Sequence, residues 1–117
     1  MEFFINQNST LPILKMEPVV DGISESYRNL IENLDNAIIR FSMKDEKNGI
    51  QKIFMNPAHI VQKLKNNPDV PTDYYIYYKW KENDTKIKGR FIGEFSIVLL
   101  NGELISPIRE NLYINII

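Results

Sequence analysis

From Arg90 to Leu100 the chain reads RFIGEFSIVLL, and its apolar residues recur on every second position. Phe91, Phe95, Ile97 and Leu99 share one face, while Arg90, Glu94 and Ser96 share the other. A period of two fits a pleated strand with one buried face and does not fit a helix. Asn101-Gly102 follows at once, and ELIS returns before Pro107. Asn-Gly between apolar runs is the strongest short hairpin signal, so the spacing predicts a two-residue turn there. A slip of one residue in such a pair would turn every core side chain toward water.

The same alternation recurs along the chain. YYIYYKW (74–80) sets Tyr74, Ile76, Tyr78 and Trp80 on one face, with Tyr75, Tyr77 and Lys79 on the other. NAIIRFSMK (36–44) opposes Ile39, Phe41 and Met43 to Ile38, Arg40 and Ser42. DEKNG (45–49) reads as a hairpin turn, from which IQKIFM (50–55) returns. EFFIN (2–6) and NLYINII (111–117) are further strands. LPILKMEPVV (11–20) holds Pro12 and Pro18, which cannot donate to a ladder, so it reads as a bent edge strand before the Asp21-Gly22 turn.

Two stretches depart from this rhythm. In SESYRNLIENLDN (24–36), Tyr27, Leu30, Ile31 and Leu34 fall at i, i+3, i+4 and i+7 behind a capping Ser24. That spacing predicts one short helix near residues 24–34. NPAHIVQKLKNNPDVP (56–71) fits either a short helix with Ile60, Val61 and Leu64 on one face or another strand. Seven or eight short strands with turns every 8–12 residues is the signature of an all-β sandwich. A length of 117 residues favours one domain spanning 1–117.

Composition removes several kinds of chemistry. The chain has no Cys, which excludes disulfides, thiolate metal sites and cysteine nucleophiles. With 14 basic and 15 acidic residues the net charge is −1, which is no footprint for nucleic acid. A near-neutral surface repels its own copies weakly, which suits a protein that assembles. MEFFINQNST has no basic start and is not a signal peptide, and no apolar run is long enough for a transmembrane helix.

Site chemistry is sparse. His59 is the sole histidine, so a triad or a multi-histidine metal site is not expected, and a structural or surface role is. Asp45, Glu46 and Asp84 fall in turns without calcium-loop spacing and are expected to be solvated. Gly89, Gly93 and Gly102 form no phosphate loop; Gly93, inside a strand pattern, marks a bulge or a close packing contact. Lys81, Lys86, Lys88 and Arg90 are interrupted by Glu82 and Asp84 and read as a solvated turn. Neither catalysis nor a cofactor is expected.

The aromatic run stands apart. If Tyr74, Ile76, Tyr78 and Trp80 face the core, Tyr75 and Tyr77 form the outward pair. Tyrosine offers large contact area at low entropic cost, which makes Tyr75 and Tyr77 the candidate interface. A sugar-stacking platform and ordinary packing under a loop are the other two readings.

The order of the pieces carries a resemblance. FFINQNSTLPIL, AIIRFSMKD, NDTKIKGRFIGEF, NGELISP and LYINII together resemble the Ig-like virion domains of tailed bacteriophages. Such domains occur at the N-terminus of siphophage baseplate upper proteins. Asn8, Thr10 and Pro12 stand in its first element, and Ile39, Phe41 and Met43 in its second. Asp84, Thr85, Gly89, Phe91, Glu94 and Phe95 stand in its third, Gly102 and Pro107 in its fourth, and Leu112, Ile114 and Ile116 in its last. Residues 23–33 depart from the pattern and read as an insertion.

The resemblance implies an Ig-like antiparallel β-sandwich without catalytic residues, in a structural component of a virion. The implied partners are capsid, tail or fibre proteins, with the chain present in multiple copies or as a homo-oligomer, and with no nucleic acid or membrane. A surface glycan is the additional candidate ligand. The implied location is the virion, after synthesis in the host bacterial cytoplasm. Because the chain ends with the domain, without a fibre or receptor-binding extension, a capsid-attached accessory or head-fibre adaptor is expected ahead of a baseplate component.

Overall fold

The computed structural model of the chain describes residues 1–17, 37–62, 74–98, 102, 104–105 and 111–117. Nine strands run through them: β1 Glu2–Ile5, β2 Leu14–Met16, β3 Ile38–Asp45, β4 Gln51–Pro57, β5 His59–Gln62, β6 Tyr74–Tyr78, β7 Gly89–Val98, β8 Leu104–Ile105 and β9 Leu112–Ile116. That is one more than the sequence suggests, because the ambiguous stretch after Asn56 starts as strand β5. The helix expected near 24–34 lies outside the described residues, as does Leu99.

The strands form two sheets. The larger has the order β1-β9-β7-β3-β4, with β8 also paired to β7; the smaller has the order β2-β6-β5. β3 pairs with β7 from Phe91 to Val98, so β9 and β8 share the opposite edge of β7. The protein is an all-β sandwich, whose strand order matches B-E-D in the small sheet and G-F-C-C′ in the large one in immunoglobulin lettering. Among the described strands every pairing is antiparallel except one: β1 runs parallel to β9, with Glu2 beside Tyr113 and Ile5 beside Ile116. The expected antiparallel arrangement therefore holds among these strands but not at this edge.

Alternation explains the faces. Ile39, Phe41 and Met43 of β3 are buried, as are Phe91, Phe95 and Ile97 of β7, Leu112, Ile114 and Ile116 of β9, and Ile76 and Tyr78 of β6. Phe41 sits at the centre, with ring centroids 4.7 Å from Tyr78, 4.9 Å from Phe95 and 5.9 Å from Trp80. Burying each such ring stabilises the fold by roughly 1.5–3 kcal/mol. Gly93 makes room for it: a Cβ there would lie 3.0 Å from Phe41 Cε1 and 3.2 Å from Leu112 Cδ2. The close packing contact expected at Gly93 is thus with the central aromatic ring.

The loops differ from expectation in two places. The β7–β8 register pairs Val98 with Leu104 and Ile97 with Ile105, so five residues lie between the paired positions. A two-residue turn at Asn101-Gly102 would have paired Val98 with Ile105. Gly102 keeps the left-handed conformation (φ 86°) that favours glycine, but the hairpin closes one residue out of the expected register.

Asp84 is the second correction. It is 8% exposed rather than solvated. Its Oδ2 accepts hydrogen bonds from the Tyr78 hydroxyl at 2.6 Å and the Lys81 backbone N–H at 2.8 Å. Asn56 Nδ2 donates to the same Tyr78 oxygen at 3.1 Å. Beside it the fully buried Thr85 donates from Oγ1 to the Ser9 carbonyl at 2.8 Å and accepts from the Asn8 N–H at 2.9 Å on its own carbonyl. A buried carboxylate is tolerated when hydrogen bonds compensate its lost hydration, and here two local donors converge on Oδ2.

Two outcomes are expected. Gly93→Ala forces Phe41 or Leu112 aside and lowers stability by about 1–3 kcal/mol, read as a lower urea midpoint with an unchanged slope. Burial pushes the Tyr78 phenol well above its ordinary value of 10.0; the Asp84 carboxylate adds to the shift and Asn56 opposes it. Its stabilising contribution is therefore complete below pH 10 and is lost as pH rises beyond it, because the unfolded chain gives up that proton first. Stability measured from pH 8 to 12 should fall less steeply in Tyr78→Phe than in the parent.

Candidate functional site

The outer face of the small sheet holds the tyrosine pair singled out by sequence. Tyr75 and Tyr77 alternate with the buried Ile76 and Tyr78 and are themselves half-buried. Tyr77 stands in register between Lys15 of β2 and His59 of β5. Its ring stacks on His59 with centroids 5.1 Å apart and an interplanar angle of 28°. Tyr75 pairs across to the exposed Val61, and Lys15 Nζ lies 4.3 Å from its ring centroid. Together these side chains form an aromatic platform on this face, with the Lys15 cation over the Tyr75 ring and the His59 imidazole against the Tyr77 ring. Such a surface can stack a planar or sugar ring or seat a protein contact.

His59 is exposed and belongs to this platform. Among the described residues no three His, Cys, Asp or Glu side chains gather where they could hold a metal ion, and no helix is long and apolar enough to cross a membrane. Asp45 organises its own turn: Oδ1 accepts from the Lys47 and Asn48 N–H groups at 2.8 and 3.2 Å, and Gly49 follows with φ 71°. Arg90 is not the lone outward charge that alternation suggests. Its Nη2 contacts Glu2 Oε1 at 2.5 Å, its Nε lies 3.1 Å from Glu46 Oε2, and its guanidinium covers the Tyr113 ring at 4.0 Å. Asn115 also donates to Glu2, at 2.6 Å. This cluster ties β1 to β7, β9 and the β3–β4 turn.

The outer face of the large sheet holds a feature that alternation hides. Between Phe41↔Asn56 and Met43↔Ile53, β4 spends three steps against two on β3, and a second irregularity follows before Lys44↔Gln51. This β-bulge turns two consecutive residues outward, Phe54 and Met55, with Phe54 72% exposed. Met55 takes a left-handed backbone (φ 52°), a conformation that costs a non-glycine residue about 1–2 kcal/mol. Its N–H donates to Ser42 Oγ at 2.9 Å, and Gln51 Nε2 donates to the Met43 and Ile53 carbonyls at 3.2 and 2.7 Å. A groove of about 290 Å³ opens beside the bulge, lined by Ser42, Lys44, Phe54, Met55, Ile92 and Glu94 among others. Nothing in IQKIFMNP marks the extra residue; a strand read at strict period two would have placed Met55 inward.

No family model matches this chain, and neither a curated protein nor a solved structure does.

The two faces should respond differently to truncation. Phe54→Ser removes a side chain that touches little and should change stability by no more than about 0.5 kcal/mol. Tyr77→Ala strips the stacked partner from His59 and should cost about 1 kcal/mol. Paired thermal melts check both; a larger loss for Phe54→Ser than for Tyr77→Ala would contradict the packing described.

Proposed function

We propose that this protein is a structural component of a bacteriophage virion, a small Ig-like accessory or adaptor on the capsid of the head-fibre or decoration type, acting without catalysis. Supporting this reading is the coincidence of an Ig-like strand order with the segment that resembles phage virion domains, NDTKIKGRFIGEF. Within it Asp84 and Thr85 anchor the crossing loop, while Phe91 and Phe95 fill the core. These residues make a rigid block whose sheet faces remain open to neighbours. Capsid, tail or fibre proteins are the partners in this reading, and the chain is present in many copies. A tail or baseplate position is the variant of the same idea.

A second reading, a carbohydrate-binding module, is favoured by one observation: Tyr75 and Tyr77 share one outer face of β6, beside Lys15 and His59. Mass spectrometry of gradient-purified virions separates the readings. The structural reading expects the protein there in multiple copies, and its absence would end that reading. Glycan-array binding that disappears in Tyr75→Ala would establish the second one, and a blank array would remove it.

A further inference from the structure

The bulge on β4 presents Phe54 to solvent beside a groove on the same face. A bulge by itself blunts an edge strand against unwanted pairing. That purpose calls for charge or proline, not for a phenylalanine 72% exposed next to a left-handed methionine. Backbone strain that holds an apolar side chain in water points to something that covers it.

The charges around the groove narrow the choice. Lys44 of β3 pairs across to Ile92, and Glu94 of β7 pairs across to Ser42, so the two charges sit diagonally on one face. Both line the groove, and among the described residues neither has an ion-pair partner. A cation and an anion set diagonally on adjacent strands, beside the exposed aromatic of the edge strand β4, form a pattern complementary to its own image. A two-fold axis lying in the plane of contact and running between Lys44 and Glu94 would bring each lysine opposite Glu94 of a second copy. The same operation would bring each Phe54 toward the groove of the other copy. Isologous contacts have this property: one patch meets itself, and every contact occurs twice. A neutral or single-signed occupant would leave one of the two charges unanswered.

We propose that the outer face of β3, β4 and β7 is a homodimer interface, with Phe54 as its apolar anchor and reciprocal Lys44–Glu94 pairs setting its symmetry. This deepens the multi-copy part of the virion reading by naming the surface through which copies meet.

Sedimentation velocity of the full chain, from low micromolar to near-millimolar concentration, tests it. The parent should show a reversible monomer–dimer equilibrium. Phe54→Asp, Lys44→Glu and Glu94→Lys should each raise the dissociation constant by about tenfold or more, since each reversal opposes like charges twice. The double variant Lys44→Glu/Glu94→Lys should recover dimerisation, because swapping both charges restores the reciprocal pairing. All of these positions are exposed or at the groove, and far-UV circular dichroism confirms folding; Phe54→Ser replaces Phe54→Asp if the latter fails that check. A monomer at every concentration, a dimer indifferent to these changes, or a double variant no better than its parents overturns the proposal. Detection in purified virions is independent of these outcomes, so a monomeric chain still found in virions removes the interface alone.

Discussion

Tyr78 is where the two sheets and the loop between them meet. Its ring belongs to the small sheet but stacks on Phe41 of the large one. Its hydroxyl reaches Asn56 on β4 and Asp84 in the connection from β6 to β7. The hydroxyl therefore specifies how the apolar surfaces align, which hydrophobic burial alone leaves loose. Asp84 passes the constraint on: the same carboxylate oxygen that accepts from Tyr78 holds the Lys81 backbone, and the adjacent Thr85 clasps the chain at Asn8 and Ser9. The segment leading from β1 to β2 is thus positioned by the loop that crosses between the sheets.

Around that peg the core is organised by volume. Phe41 needs the absence of a side chain at Gly93 on the neighbouring strand, and Leu112 closes the same gap from the other side. Aromatic rings meet edge-to-face at Trp80 and near-stacked at Tyr78, the arrangements that ring quadrupoles favour. With the interior this tightly filled, variation is easiest on the outward positions. The tyrosine platform and the Phe54 bulge both lie there, on opposite outer surfaces of the sandwich.

How much of this could be read from sequence follows from the range of each interaction. The faces of β3, β6 and β7 were legible because burial repeats with the strand period, and Ile39, Phe41, Met43, Ile76, Tyr78, Phe91, Phe95 and Ile97 all point inward as alternation requires. Turn chemistry was legible at Asp45–Gly49, where the signal is local, and misleading at Asn101-Gly102, where pairing along β7 sets the register. The burial of Asp84 depends on Tyr78 rising under it, and the pairing of Arg90 depends on Glu2, 88 residues away in sequence; local polarity could reveal neither. The outward placement of Tyr75 and Tyr77 was legible because the same period that turns Ile76 and Tyr78 inward turns their neighbours outward. The outward turn of Met55 was hidden because a bulge adds a residue without leaving a signature in the residues themselves.

The parallel edge has a mechanical meaning. β1 and β9 run in the same direction, and their ladder extends from the Met1 carbonyl, which accepts from Tyr113, to the Ile117 carbonyl, which accepts from Gln7. Glu2 and Ile116 therefore lie at opposite ends of one paired ribbon. Tension drawing these two residues apart acts along the strands and across their hydrogen bonds, so the whole ladder bears the load at once instead of opening bond by bond. The Arg90–Glu2 contact adds a rivet at the end where β1 begins. Under tension in that direction the block behaves as a stiff link rather than a zipper.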